Sequence, residues 1–107
     1  MNSFINENLK IALAIPHQWL SQVVEKIFAA AQVDCVNVEN IEELYEMLSQ
    51  ERIDLVILDV FSYPRYFRHI LTQIKEIEPG ISILALVSTN EASYQYELLT
   101  AGAAAVV

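Results

Sequence analysis

The chain has 107 residues, 54% hydrophobic and 19% charged, and its 6 Lys and Arg against 14 Asp and Glu leave a net charge of −8. That apolar fraction excludes a disordered tail, the length suits one domain (residues 1–107) with its own core, and the acidic balance argues against nucleic-acid contact. The single cysteine, Cys35, excludes an internal disulfide and a cysteine-based zinc site, while two histidines, His17 and His69, leave little for metal ligation.

Residues 1–9 read as a polar lead. The segment carries Glu7 and lacks the basic start and apolar run of a secretory peptide. No apolar stretch approaches the roughly 20 residues that a membrane helix needs. Together with the lone cysteine, these features point to the cytoplasm and away from a membrane.

The first apolar run is Ile11–Ile15, continuous rather than alternating, as a strand reads when both faces are covered. Leu20, Val23, Val24, Ile27, Phe28 and Ala31 then recur at helical spacing and predict one apolar helix face. Val33–Val38 alternates and predicts an edge strand. Ile41, Leu44, Tyr45 and Leu48 predict a second helix, with Asn40 and Glu43 spaced as a capping box. Ile53–Val60 is the next continuous run. Phe67, Ile70, Leu71, Ile74 and Ile77 predict a third helix closed by Pro79-Gly80. Ile81–Val87 is a fourth strand. A fourth helix is expected with Asn90 as cap, Tyr94, Leu98 and Ala101 facing inward, and Gly102 as its end. Ala103–Val107 closes the series. Strands alternating with helices mean a parallel sheet with right-handed crossovers, an α/β fold.

Asp59 is the sharpest chemical feature. It ends Asp54-Leu-Val-Ile-Leu-Asp59, at the carboxyl end of a presumed central strand, where open parallel sheets form their sites. A carboxylate there is costly to bury without a partner. It reads either as a site residue or as a strand-ending acceptor bonded to the backbone of Val60–Tyr63 or to His17.

These segments carry a resemblance. Lys10-Ile-Ala-Leu-Ala, Asp54-Leu-Val-Ile-Leu-Asp59, Pro79-Gly-Ile-Ser-Ile-Leu-Ala-Leu-Val87 and Ala101-Gly-Ala103 together resemble the receiver domain of two-component response regulators, with ungapped spacing from Asp59 to Gly102. The resemblance implies a doubly wound, flavodoxin-like fold with a five-stranded parallel sheet in the order 2-1-3-4-5. It also implies that Asp59 matches the phosphoacceptor. Other positions depart from the family. Its acidic pair, which holds Mg²⁺, falls on Ile15 and Pro16, and neither side chain offers the oxygen that Mg²⁺ requires. Its hydroxyl position falls on Val87, beside Ser88. Its proline falls on Tyr63, with Pro64 one place late, and the glycine opening its third helix falls on Phe67. The family's lysine and fifth helix would lie beyond Val107, as would any effector domain.

The resemblance therefore implies a degenerate receiver-like module, not an enzyme, with no metal or cofactor. It would act by homodimerisation or by docking on partner signalling proteins. The alternative is a working receiver, phosphorylated on Asp59 by a histidine kinase with Mg²⁺. A third reading is a small-ligand sensor using the aromatics Trp19, Tyr63, Tyr66 and Phe67. His17 reads as a site neighbour that could reach Asp59, or as a helix-start residue facing solvent. His69 with Arg65 and Arg68 reads as a basic cluster or a solvated face. Glu39, Glu42, Glu43, Glu46 and Glu51 form an acidic second helix region. Cys35 reads as a small buried hydrophobe. Trp19, Val23, Val24 and Ile27 are the interface candidates. A face left without its fifth helix is expected to be partly uncovered, and to pair with a second copy.

Overall fold

The computed structural model describes residues 9–63, 65–87 and 92–107. Five strands alternate with four helices: β1 (Lys10–Ala14), α1 (Gln18–Ala30), β2 (Asp34–Asn37), α2 (Ile41–Gln50), β3 (Leu55–Asp59), α3 (Phe67–Ile77), β4 (Ser82–Leu86), α4 (Ala92–Ala101) and β5 (Ala105–Val106). A short 3₁₀ turn, Val60–Ser62, follows β3. The sheet is parallel throughout, in the order β2-β1-β3-β4-β5, so β2 is an edge strand as its alternation predicts.

Strand parity assigns the two cores. Ala12, Ala14, Val56, Leu58, Ile83 and Ala85 point to one face, where Leu44 and Leu48 of α2, Ile70, Leu71 and Ile74 of α3, and Leu98 of α4 bury them. Ile11, Leu13, Ile15 and Ile57 point to the other face, covered by Leu20, Val24 and Phe28 of α1. The helices thus lie on both sides of the sheet, which is the doubly wound arrangement. Among the described helices, α1 alone packs on the second face, and Leu84 and Leu86 remain only half-buried there.

Several boundaries differ from the expectations, each for a physical reason. The apolar run Ile53–Val60 overshoots β3, because Val60 turns into the 3₁₀ segment and fills the first core from there. Ala103–Val107 yields a strand of only two residues, although ladder bonds from Ala104 and Val107 to Ile83 and Ala85 extend its reach. The apolar helix face predicted from Leu20 to Ala31 is in fact two stripes. Leu20, Val24 and Phe28 meet the sheet; Val23 is half-buried, Ile27 is 61% exposed, and Ala31 is the exposed C-cap. The capping expectation holds in modified form. Asn40 Oδ1 accepts from the Glu43 N–H at 2.7 Å, but the Glu43 carboxylate reaches back to the N–H of Glu39, one residue before the cap. Gly102 follows α4 with φ of 126°, a left-handed conformation suited to glycine. The expected cap Asn90, the side chain of Tyr94, and residues Pro64 and Ser88 lie outside the described residues.

Candidate functional site

β3 ends at the carboxyl edge of the sheet, and its odd-numbered residues face α1. Asp59 therefore projects on the same side as Leu55 and Ile57. It is 4% exposed. Its neighbours across the sheet are apolar on both sides. Asp59 pairs with Leu86 of β4, and one step beyond the Ala14–Leu58 pair brings Ile15 level with it from β1.

The carboxylate Oδ2 accepts from the Ser62 hydroxyl at 2.8 Å. This corrects the expectation of a loop-backbone or His17 donor. The Tyr63 N–H donates instead to the Val60 carbonyl at 2.9 Å, closing the 3₁₀ turn, and Asp59 makes no side-chain cap bond to that turn. His17 is exposed and serves α1: it is the N-cap, and its Nδ1 accepts from the Leu20 N–H at 3.4 Å. Its ring also meets Trp19 edge-on, with centroids 6.4 Å apart.

A cavity of about 290 Å³ opens beside Asp59, lined by His17, Trp19, Leu20, Ser62, Leu86 and Val87. The structure therefore brings together Asp59, His17, Trp19 and Val87. Ser62, the donor that satisfies Asp59, went unnoticed in the sequence. Its only signal is the spacing of three residues after a strand-ending aspartate, which one tight turn closes.

Tyr63 is elsewhere. It lines a second cavity of about 470 Å³ with Pro16, Glu39, Glu42, Tyr45, Tyr66 and His69, among others, on the far side of the β1 and β3 ends. Burial raises the pKa of the Tyr63 hydroxyl, helped by the negative charges of Asp59 and Glu42. Tyr45 is raised in the same way, by burial and then by Glu42. Phe67, expected among the mouth aromatics, is a core residue, because it opens α3 on the side facing the first core. Of the basic cluster, Arg68 pairs with Glu97 at 2.8 Å, and His69 lines the second cavity. Cys35 is half-buried beside the second core, and burial pushes its thiol up to about 11.

The receiver fold implies a Mg²⁺ ion at Asp59, and the donor set does not suit one. Ile15 is a core hydrocarbon, Pro16 has no side-chain oxygen, and Leu86 flanks the carboxylate on the other side. Among the described residues, no group of three His, Cys, Asp or Glu side chains could hold a metal ion. Nor is any helix among them long and apolar enough to cross a membrane.

No protein-family model matches the sequence, and a search of curated proteins finds no match either. The fold, however, is that of response regulator receiver domains. A response regulator from Thermotoga maritima superimposes with a TM-score of 0.83 at 19% identity, over 92% of this chain and 82% of that one. The Francisella response regulator 1452 receiver domain gives 0.83 at 14% identity, over 94% and 83%. A response regulator from Burkholderia pseudomallei, solved with a phosphorylated aspartic acid, a calcium ion and citrate, gives 0.80 at 10% identity, over 92% and 58%.

Proposed function

We propose that this chain is a receiver-like signalling module that works through protein–protein contact in the cytoplasm, without efficient Mg²⁺-dependent phosphorylation and without enzymatic activity of its own. The observation that carries this reading is the pair of hydrocarbon neighbours, Ile15 and Leu86, on either side of Asp59. Transfer of a phosphoryl group to a carboxylate needs positive charge on the equatorial oxygens. Neither neighbour supplies it or a ligand for it. Asp59 then serves as a hydrogen-bonded strand end, tying β3 to the following turn through Ser62.

The contact surface is the half-covered second face. Trp19, Val23 and Ile27 recur every fourth residue along α1, next to the stripe that meets the sheet, and Trp19 and Ile27 are 67% and 61% exposed. Trp19 shares the cavity beside Asp59 with Leu86, so this stripe borders the half-buried Leu84 and Leu86 of β4. Apolar residues exposed together in this way favour association, here with a second copy or with a partner signalling protein. The test is molar mass by light scattering across concentration. A dimer is expected, unchanged in Asp59→Asn and lost in Ile27→Glu, which alters a solvent-facing position. A wild-type chain that stays folded and monomeric at high micromolar concentration would overturn the self-association reading.

The second reading, a phosphoacceptor served by a histidine kinase, has one observation in its favour. The carboxylate lies at the carboxyl end of the central strand, in a fold shared with a response regulator solved with a phosphorylated aspartic acid.

A further inference from the structure

The cavity on the far side of the sheet edge has a composition that the signalling reading does not use. Three tyrosines from two segments converge on it: Tyr45 from α2, and Tyr63 and Tyr66 from the loop before α3. A tyrosine ring carries a negative π face that attracts a cation. Two carboxylates, Glu39 and Glu42, stand at the same cavity, and neither has an ion-pair partner among the described residues. The adjacent carboxylate, Glu43, is already engaged by the Glu39 N–H and offsets the start of α2. No lysine or arginine lines the cavity, and its one basic side chain is His69.

One polar atom behind the cavity wall has no partner among the described residues. The Tyr45 hydroxyl oxygen is buried and makes no hydrogen bond among the described residues. Buried hydroxyls in folded proteins nearly always have a partner. Pro16, Ile41 and Ile70 supply apolar wall for the body of a ligand. The volume of about 470 Å³ falls within the size range of small-molecule sites, which is about 300–1,000 Å³.

We infer that this cavity binds a small organic ammonium compound, a protonated primary amine on an apolar body, with the charge held among Tyr63, Tyr66 and Glu42. The cavity is not the one beside Asp59 and does not include the α1 stripe, although the Asp59 charge reaches Tyr63, and ammonium binding here is tested independently of the signalling reading.

The experiment is a titration of the full chain at neutral pH, read by NMR of the tyrosine and histidine rings. The probes are 2-phenylethylammonium, its neutral counterpart 2-phenylethanol, and the anion 3-phenylpropionate. Expected are saturable shifts of the Tyr63, Tyr66 and His69 rings with the ammonium at millimolar concentration, weaker binding of the alcohol, and none of the carboxylate. Tyr66→Ala and Glu42→Gln alter exposed positions and leave the fold intact; each is expected to weaken the ammonium by about two- to fivefold. Equal affinity for ammonium and alcohol, shifts confined to other parts of the chain, or full affinity in both variants would overturn the assignment.

Discussion

Ile15 is the residue that the receiver resemblance sets against an acidic metal ligand, and its replacement measures how far it belongs to the core. It is 2% exposed and packs with Ile11, Leu13 and Ile57 under α1. Ile15→Ala removes three carbon groups, worth about 0.8 kcal/mol each by transfer, plus the cavity left behind. The site borders solvent through the exposed Pro16, so the hole can partly fill, and about 2–3 kcal/mol is expected. Ile15→Val should cost about 1 kcal/mol. Ile15→Asp loses the same packing and adds a carboxylate level with Asp59, which takes the loss to about 4 kcal/mol or more, a large share of a small domain's stability. Urea denaturation followed by circular dichroism reads the series. With slopes of about 1–3 kcal/mol per molar, the alanine midpoint should fall by about 0.7–3 M and the aspartate midpoint further. An aspartate variant as stable as the alanine variant, in buffer without divalent ions, would refute the reasoning. The position would then already be wet and polar, ready to hold a ligand.

Two other outcomes follow from the same structure. Gly102 sits at φ of 126°, where a side chain is strained although Lys75 leaves ordinary contact room at 3.6 Å, so Gly102→Ala should cost about 1 kcal/mol or more in the same urea assay. The Cys35 thiol, pushed by burial to about 11, should stay protonated as pH rises through the usual thiol range. Its alkylation by iodoacetamide at about pH 8 should be about a hundredfold slower in the folded chain than in urea, and equal rates would contradict the burial.

What was legible in the sequence was what packing on both sides writes into it. β1 and β3 read as continuous apolar runs because both their faces are buried, β4 reads the same way although its second face is only half-buried, and the alternation of β2 marks an edge. The period of α1 was legible too, but not its division. A periodic count cannot tell Val24, which meets the sheet, from Ile27, which meets solvent, because that depends on how many helices share the face. Asp59 stood out as a carboxylate ending an apolar strand. Its donor did not, because a serine three residues on is informative only once the chain is known to turn there. Tyr45 read as part of an apolar helix stripe; its stranded hydroxyl, and its meeting with Tyr63 and Tyr66, depend on loop geometry that no local pattern encodes.

The most direct test of the proposed function is chemical. The chain is incubated with acetyl phosphate and millimolar Mg²⁺, and its intact mass is measured alongside Asp59→Asn. The hydrocarbon flanks of Asp59 lead to one expected result: unmodified mass in both proteins. A stoichiometric gain of one phosphate in the wild type, absent from Asp59→Asn, would contradict it and establish Asp59 as a working phosphoacceptor.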